Sequence, residues 1–228
     1  MSDPHYEPPV NPIPPVVLAL FLVMAAVEGY FGLGRAGLIG GPEAIGWRNL
    51  AIQDYAVNGE LFDLMLETGR WPPEHVMRLV TYLFVSGSFT QAAFAGAMLL
   101  ALGKLVGEVF SPLATAAVFL VSGISGALAY GLVLDNTGWL FGAFPGVYGL
   151  IGAFTYLLWL KLGELGTNQL RAFTMIGFLM GIQLLFGLLF GGTRDWVADV
   201  GGFGAGFLMS FVISPGGWSR LRDRMRQR

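Results

Sequence analysis

Few side chains in this sequence could do covalent chemistry, and they do not form a working set. The clearest nucleophile-type pattern is Gly123-Ile124-Ser125-Gly126, a serine between glycines inside an apolar run. A serine hydroxyl is a weak nucleophile until a base takes its proton, and the usual base is a histidine within hydrogen-bond reach. The chain has two histidines, His5 and His75, and both lie outside the apolar runs. No Ser–His pair can therefore form within an apolar layer. Lysine could serve instead, but Lys104 and Lys161 stand at the ends of apolar runs. With no cysteine there is no thiol nucleophile, no thiolate metal ligand and no disulfide framework. No metal or other cofactor is expected. Two carboxylates, Glu28 and Asp199, do stand in or beside apolar runs. Such a group is costly there and is a candidate ligand or proton-relay site. The expectation that ranks first is plainer: each carboxylate stays solvated or is bonded by neighbours, Tyr148, Gln91 or a loop amide in the case of Asp199.

The elements that must position these groups are long and apolar. Of 228 residues, 54% are hydrophobic and 12% charged, against about 25% charged in a soluble domain. Apolar runs at 15–33, 79–102, 113–134, 141–160, 172–190 and 196–213 each approach the roughly 20 residues that cross a bilayer as helix. The expected fold is an all-α polytopic membrane protein, a single domain over 1–228 with six transmembrane helices. A tail over 1–14 precedes the first span, a long loop over 34–78 follows it, and a basic tail over 214–228 ends the chain. The first residues carry Asp3 and Glu7 but no lysine or arginine, so the first run is expected to stay as a span and not be cleaved as a signal. In the long loop, apolar residues at Leu50, Ile52, Tyr55, Leu61, Phe62, Leu64 and Met65 alternate with charges. One or two interfacial amphipathic helices are expected there.

Charge orients the bundle. Arg220, Arg222, Arg224, Arg226 and Arg228 crowd the C-terminal tail, and Lys104, Lys161 and Arg171 fall on the same side of a six-span arrangement. By the positive-inside rule both termini are then cytoplasmic. The long loop and the connections at Asp135 and Arg194-Asp195 lie outside. Tyr30, Trp139 and Trp196 fit the outer interface, Trp159 and Trp218 the inner one. The expected location is an integral membrane protein of a bacterial inner (plasma) membrane. The basic tail can touch anionic lipid, and no nucleic-acid partner is expected.

Glycine spacing adds a packing signal. Gly142, Gly146, Gly149 and Gly152 in the fourth run, and Gly201, Gly202 and Gly206 in the sixth, recur at short intervals. Such stripes let helix backbones approach closely, and they predict a tight contact between spans four and six. Ser122, Gly123, Ser125 and Gly126 read as small packing residues with internally bonded hydroxyls.

Taken together, these segments resemble the rhomboid family of intramembrane serine proteases over roughly 77–213. The stretch Ala143-Phe144-Pro145-Gly146, then Tyr148-Gly149-Leu150-Ile151-Gly152, is similar to the family's Gly-x-Ser-Gly, aromatic, Gly-x-x-Gly. Ala198-Asp199-Val200-Gly201-Gly202 with Gly206 is similar to its Ala-His-x-Gly-Gly and following glycine. Ser86-Gly87-Ser88-Phe89-Thr90-Gln91 with Phe94-Ala95, Leu102-Gly103-Lys104-Leu105-Val106-Gly107-Glu108, and Gln183-Leu184-Leu185-Phe186-Gly187 add weaker support. The resemblance implies a serine nucleophile on span four, a histidine base on span six, and a histidine and an asparagine on span two that stabilise the oxyanion. Those positions hold Pro145, Asp199, Gln91 and Ala95, and none keeps the family's residue. Ser125 would leave only three spans behind it, with no histidine on the last.

The expectation is therefore a rhomboid-like bundle without protease chemistry, which binds or regulates transmembrane segments of client proteins. The family's lateral opening between spans two and five would be lined by Ala92, Ala93, Ala95, Gly96, Gly177 and Gly181. Two alternatives stand beside it. One is an active intramembrane serine endopeptidase using non-standard residues. The other is a small transporter centred on Asp199, or a subunit of a larger membrane complex.

Overall fold

The computed structural model describes residues 12–134, 138–190 and 194–214. Asp135, His5, Trp218, most of both tails and the side chain of Gln183 lie outside the described residues. Helix α1 (Pro15–Arg35) starts on a proline, which suits the first helical position because the missing N–H would go unpaired there anyway. A 3₁₀ turn (Gly41–Gly46) leads into α2 (Trp47–Tyr55), strand β1 (Val57–Asn58) and α3 (Gly59–Thr68). Asn58 caps α3, its Oδ1 accepting from the Leu61 amide at 3.0 Å. Helix α3 buries Phe62 and Met65 and leaves Leu64 exposed, the one-sided pattern expected of an amphipathic helix. Short turns α4 (Pro73–Val76) and α5 (Arg78–Thr81) and a 3₁₀ turn (Tyr82–Phe84) complete the loop.

The long helices follow: α6 (Phe89–Gly107), α7 (Pro112–Val133), α8 (Phe144–Glu164), α9 (Thr174–Phe190) and α10 (Trp196–Ile213), with strand β2 (Trp139–Leu140) before α8 and a 3₁₀ turn (Gln169–Phe173) before α9. Among the described residues five helices, α1, α6, α7, α8 and α10, are long and apolar enough to cross a membrane. Helix α9, with 17 residues, sits at the place of the fifth expected span and at the short end of the usual range of about 17–25. The architecture is an all-α polytopic membrane bundle.

Several span ends shift by one to five residues from the hydropathy reading, and the starts of the second and fourth spans have structural causes. The second span begins at Phe89, ten residues later than the apolar run at 79 suggests. Ser88 is extended and caps α6, its Oγ accepting from the Gln91 amide at 3.2 Å. The apolar residues before it serve a different purpose: Tyr82 and Leu83 are fully buried inside the bundle. A residue buried in protein and one facing lipid have the same hydropathy, so the run reads as one. The fourth span begins at Phe144 instead of 141, because Gly142 has φ +104° and ends a non-helical segment. Strand β1 pairs antiparallel with β2, Val57 opposite Leu140 and Asn58 opposite Trp139. This pairing ties the loop to the entry of α8 and has no signature in the residues themselves.

The core lies where α8 and α10 pack on each other and on α7. Helix α1 packs on α6, and α6 on α8. Helix α9 is peripheral, held by its preceding turn and by α10.

Candidate functional site

Pro145 is the second residue of α8 and is buried. The first turn of a helix is the one place where proline costs no hydrogen bond. Its ring fills the junction of three helices. A Cβ added to Gly126 of α7 would lie 2.6 Å from both Pro145 Cβ and the Ala198 carbonyl oxygen. A Cβ on Gly202 of α10 would run into the Pro145 carbonyl oxygen. Position 145 is therefore in contact with both α7 and α10, and it presents no heteroatom side chain to either.

Asp199 lies in the first turn of α10 and is 3% exposed. The N-terminal end of the helix macrodipole favours a negative charge there. Its charge bears on the Tyr82 phenol, which precedes α6. Tyr82 is completely buried, and its hydroxyl donates to the Gly123 carbonyl of α7 at 2.7 Å. Burial pushes the Tyr82 phenol up, and the nearby Asp199 charge pushes it further, so it remains a protonated donor. Tyr82 was not singled out from the sequence. Its only signal was a phenol within an apolar run just before the Gly87-Ser88 break.

Gln91 and Ala95 stand one turn apart on α6. The Gln91 side chain accepts from the Gly87 amide at 2.8 Å and donates to the Phe141 carbonyl at 3.4 Å. Both ends of its amide are thus spent on backbone. Alongside it, the Gly142 amide donates to the Tyr82 carbonyl at 2.9 Å. A side chain at Gly142 would meet Gln91 Nε2 at 2.8 Å. Gln91, Gly142 and Tyr82 together fasten the segment before α6 to the segment before α8. Ala95 is fully buried and has no group to donate.

The expected glycine stripe divides between two partners. Added Cβ atoms on Gly152 and Gly206 would strike backbone of α10 and α8 respectively, and one on Gly202 would strike α8, so these are true α8–α10 contacts. Gly149 faces Ser122 of α7 and also Gly202. Gly146 faces Phe119 of α7, and Gly201 faces Ala129 and Ser125 of α7. Gly142 is not in the stripe at all. The single contact expected between spans four and six is thus a three-helix junction that includes α7, because both glycine helices rest on it. The hydroxyls expected to be internally bonded are not all so: Ser122 Oγ is buried without a hydrogen-bond partner among the described residues. Ser125 is half-buried in the middle of α7.

Glu28 is neither solvated nor alone. Arg48 of α2 forms a two-pronged pair with it, Nη1 to Oε2 at 3.0 Å and Nη2 to Oε1 closer still. Arg48 also donates to the Ser86 carbonyl at 2.6 Å and lies over the Phe31 ring, 5.0 Å from its centroid.

The six small residues expected at a lateral opening also separate. Gly177 and Gly181 of α9 have open space beside them, and Ala93 is exposed. Ala92, Ala95 and Gly96 are buried, and Gly96 faces Phe21 of α1. Beside Ala93 on α6, Phe94 is also exposed, and its ring lies 6.2 Å from that of Phe144. Among the described residues no group of three or more His, Cys, Asp or Glu side chains could hold a metal ion.

Against this geometry, the family model described as Rhomboid domain matches residues 73–216. No curated protein matches the chain.

Proposed function

The chain belongs to the rhomboid family, and from that premise we propose that it is a member without peptidase chemistry, which holds transmembrane segments of other membrane proteins. The observation that carries this reading is Pro145. The position that matches the family's nucleophile has no side-chain heteroatom, and it is packed against Gly126 and Gly202. Asp199 could act as a base in principle, but the residue at 145 offers it no proton to take. Gln91 and Ala95 add to the argument, since the first is bonded to backbone on both sides and the second is an alanine. The exposed α9 surface at Gly177, Phe178 and Gly181, together with the exposed Phe94 of α6, supports a lateral docking face for a client helix. In this reading the basic tail is cytoplasmic and the 36–88 loop faces the other side.

The test has two arms. A photo-crosslinking residue placed at Phe178 or Phe94 in the native membrane is expected to capture transmembrane proteins; labelling of lipid alone would count against the client role. A serine-reactive activity probe is expected to leave the folded protein unlabelled. Labelling that disappears in Ser125→Ala would instead establish the active-protease alternative.

A further inference from the structure

Helices α1 and α6 run side by side in opposite directions, but they touch along only half their length. At the end away from the long loop they are locked. A Cβ on Gly103 would lie 2.6 Å from Val17, one on Gly107 would lie 2.6 Å from Pro14, and one on Gly96 would meet Phe21 at 3.0 Å. Beyond Phe21 the helices part, and a groove of about 490 Å³ opens between them. Its walls are Ala25, Gly29 and Gly32 from α1 and Phe89, Ala93 and Ala97 from α6. Gly29 and Gly32 have nothing within 4 Å of where a side chain would begin.

The dimensions select the occupant. From Phe21 to Gly32 the groove runs about 16 Å at helical rise, close to the roughly 15 Å of hydrocarbon in one leaflet. A client helix needs a seam across the whole bilayer, and this one is closed over its far half by the Val17–Gly103 and Pro14–Gly107 contacts. An acyl chain needs only its own leaflet. The mouth of the groove is cationic: Arg35 is exposed and lies one turn past Gly32 on the same face of α1. The nearest carboxylate, Glu28, lines the groove but is already paired with Arg48.

We propose that the α1–α6 groove is a binding site for one phospholipid of the loop-side leaflet, with an acyl chain between Gly29 and Ala93 and its phosphate at Arg35. This site takes in Ala92 and Ala93, two of the residues expected at the lateral opening, but none of the α9 surface, and it stands whether or not that surface binds clients.

The full chain, reconstituted in bilayers containing a phosphatidylglycerol with a diazirine on its acyl chain, provides the test. Peptides spanning 21–32 and 89–100 are expected to label well above those around Val121 and Leu132, which are exposed on α7. Filling the groove with Gly29→Phe and Ala93→Phe is expected to bring that labelling down to the α7 level, with the thermal transition retained. If that pair does not fold, Ala97→Leu tests the same wall with a smaller change and the same expected direction. Arg35→Gln is expected to lower labelling about fivefold, the worth of one cation beside an anionic headgroup. Labelling in the groove no higher than on α7, labelling unchanged in folded groove-filling variants, or capture of a protein segment across the groove would overturn the proposal.

Discussion

Two parts of this bundle use the same residue in opposite ways. In the α7–α8–α10 junction, side chains at Gly126, Gly152, Gly202 and Gly206 would each meet the backbone of a neighbouring helix. On the α1 and α9 flanks, Gly29, Gly32, Gly177 and Gly181 have nothing beside them. The first set removes bulk so that helices can close. The second leaves bulk out where no helix of this chain arrives. Glycine count and spacing are alike in both, so what separates them is the presence of a partner. In the proposed reading the junction, where Pro145 stands, serves packing, and the open surface lies on the flanks.

The sharpest way to break this contrast is one methyl group on each side. Gly206→Ala drives a Cβ into the Gly149 carbonyl, which belongs to the backbone of α8 and cannot swing away. The helices must separate, and a loss of about 3 kcal/mol is expected, at the upper end of overpacking costs. Gly177→Ala meets nothing, and is expected to be neutral or to stabilise by about 0.5–1 kcal/mol through helix propensity. Thermal unfolding of the two variants in the same mild detergent reads the difference directly. Equal transitions would mean that the junction is not close-packed.

The next effect lies on the flank itself, where α2 is anchored by charge and not by glycine. Arg48→Ala leaves Glu28 buried without its partner and also gives up the bond to the Ser86 carbonyl. A buried pair broken from one side costs about 3 kcal/mol. Replacing both members, Glu28→Leu with Arg48→Met, is expected to recover a large part of that, because the cost is the stranded carboxylate and not the lost attraction. If the double variant melts as low as the single one, the pair contributes through the Ser86 bond, and α2 is held by hydrogen bonding instead.

How much of this was legible beforehand follows from the range of each interaction. The spans were legible because crossing a bilayer demands long apolar runs, and the glycine stripes because helical spacing is local. The start of α6 was not, since Leu79 to Val85 are apolar for burial beneath the loop and not for lipid. Gly142 could not be told from Gly146, because a four-residue interval says nothing about φ. The Arg48–Glu28 pair, the Tyr82–Gly123 bond and the Gln91–Phe141 bond join residues 20, 41 and 50 positions apart. No periodicity reports such pairs. The site residues drawn from the family's motifs, Pro145, Asp199, Gln91 and Ala95, were placed by order along the chain. What each one touches came only from the folded arrangement.

A smaller effect separates the fastening of the loops from the packing beneath them. Gln91→Ala removes two bonds to backbone, and Tyr82→Phe removes one. At roughly 1 kcal/mol for each net hydrogen bond, losses near 2 and 1 kcal/mol are expected. Hydrogen exchange should rise at the Gly87 amide in the first variant and stay unchanged in the α8–α10 contact. Exchange spreading into α8 would mean that the fastening and the junction are one unit.

The smallest structural change probes the junction at its center. Pro145→Ser restores a hydroxyl at the second position of α8 and costs little in stability. Proline's preset φ is lost, at about 0.5–1 kcal/mol, while a serine is readily accommodated in a first helical turn. The hydroxyl alone should remain unreactive. Its counterpart at the base position is a carboxylate, Asp199, in place of an imidazole. An ordinary serine hydroxyl is far too weak an acid to yield its proton to such a group. At the two α6 positions that the resemblance assigns to the oxyanion, the Gln91 amide is directed at the Phe141 carbonyl and Ala95 has no side-chain donor. A fluorophosphonate probe is therefore expected to leave Pro145→Ser unlabelled, and Pro145→Ser with Asp199→His to label at most weakly. Strong labelling of the single variant would show that proline is the one element missing from an otherwise competent site, and that the junction is still organised for chemistry as well as for packing.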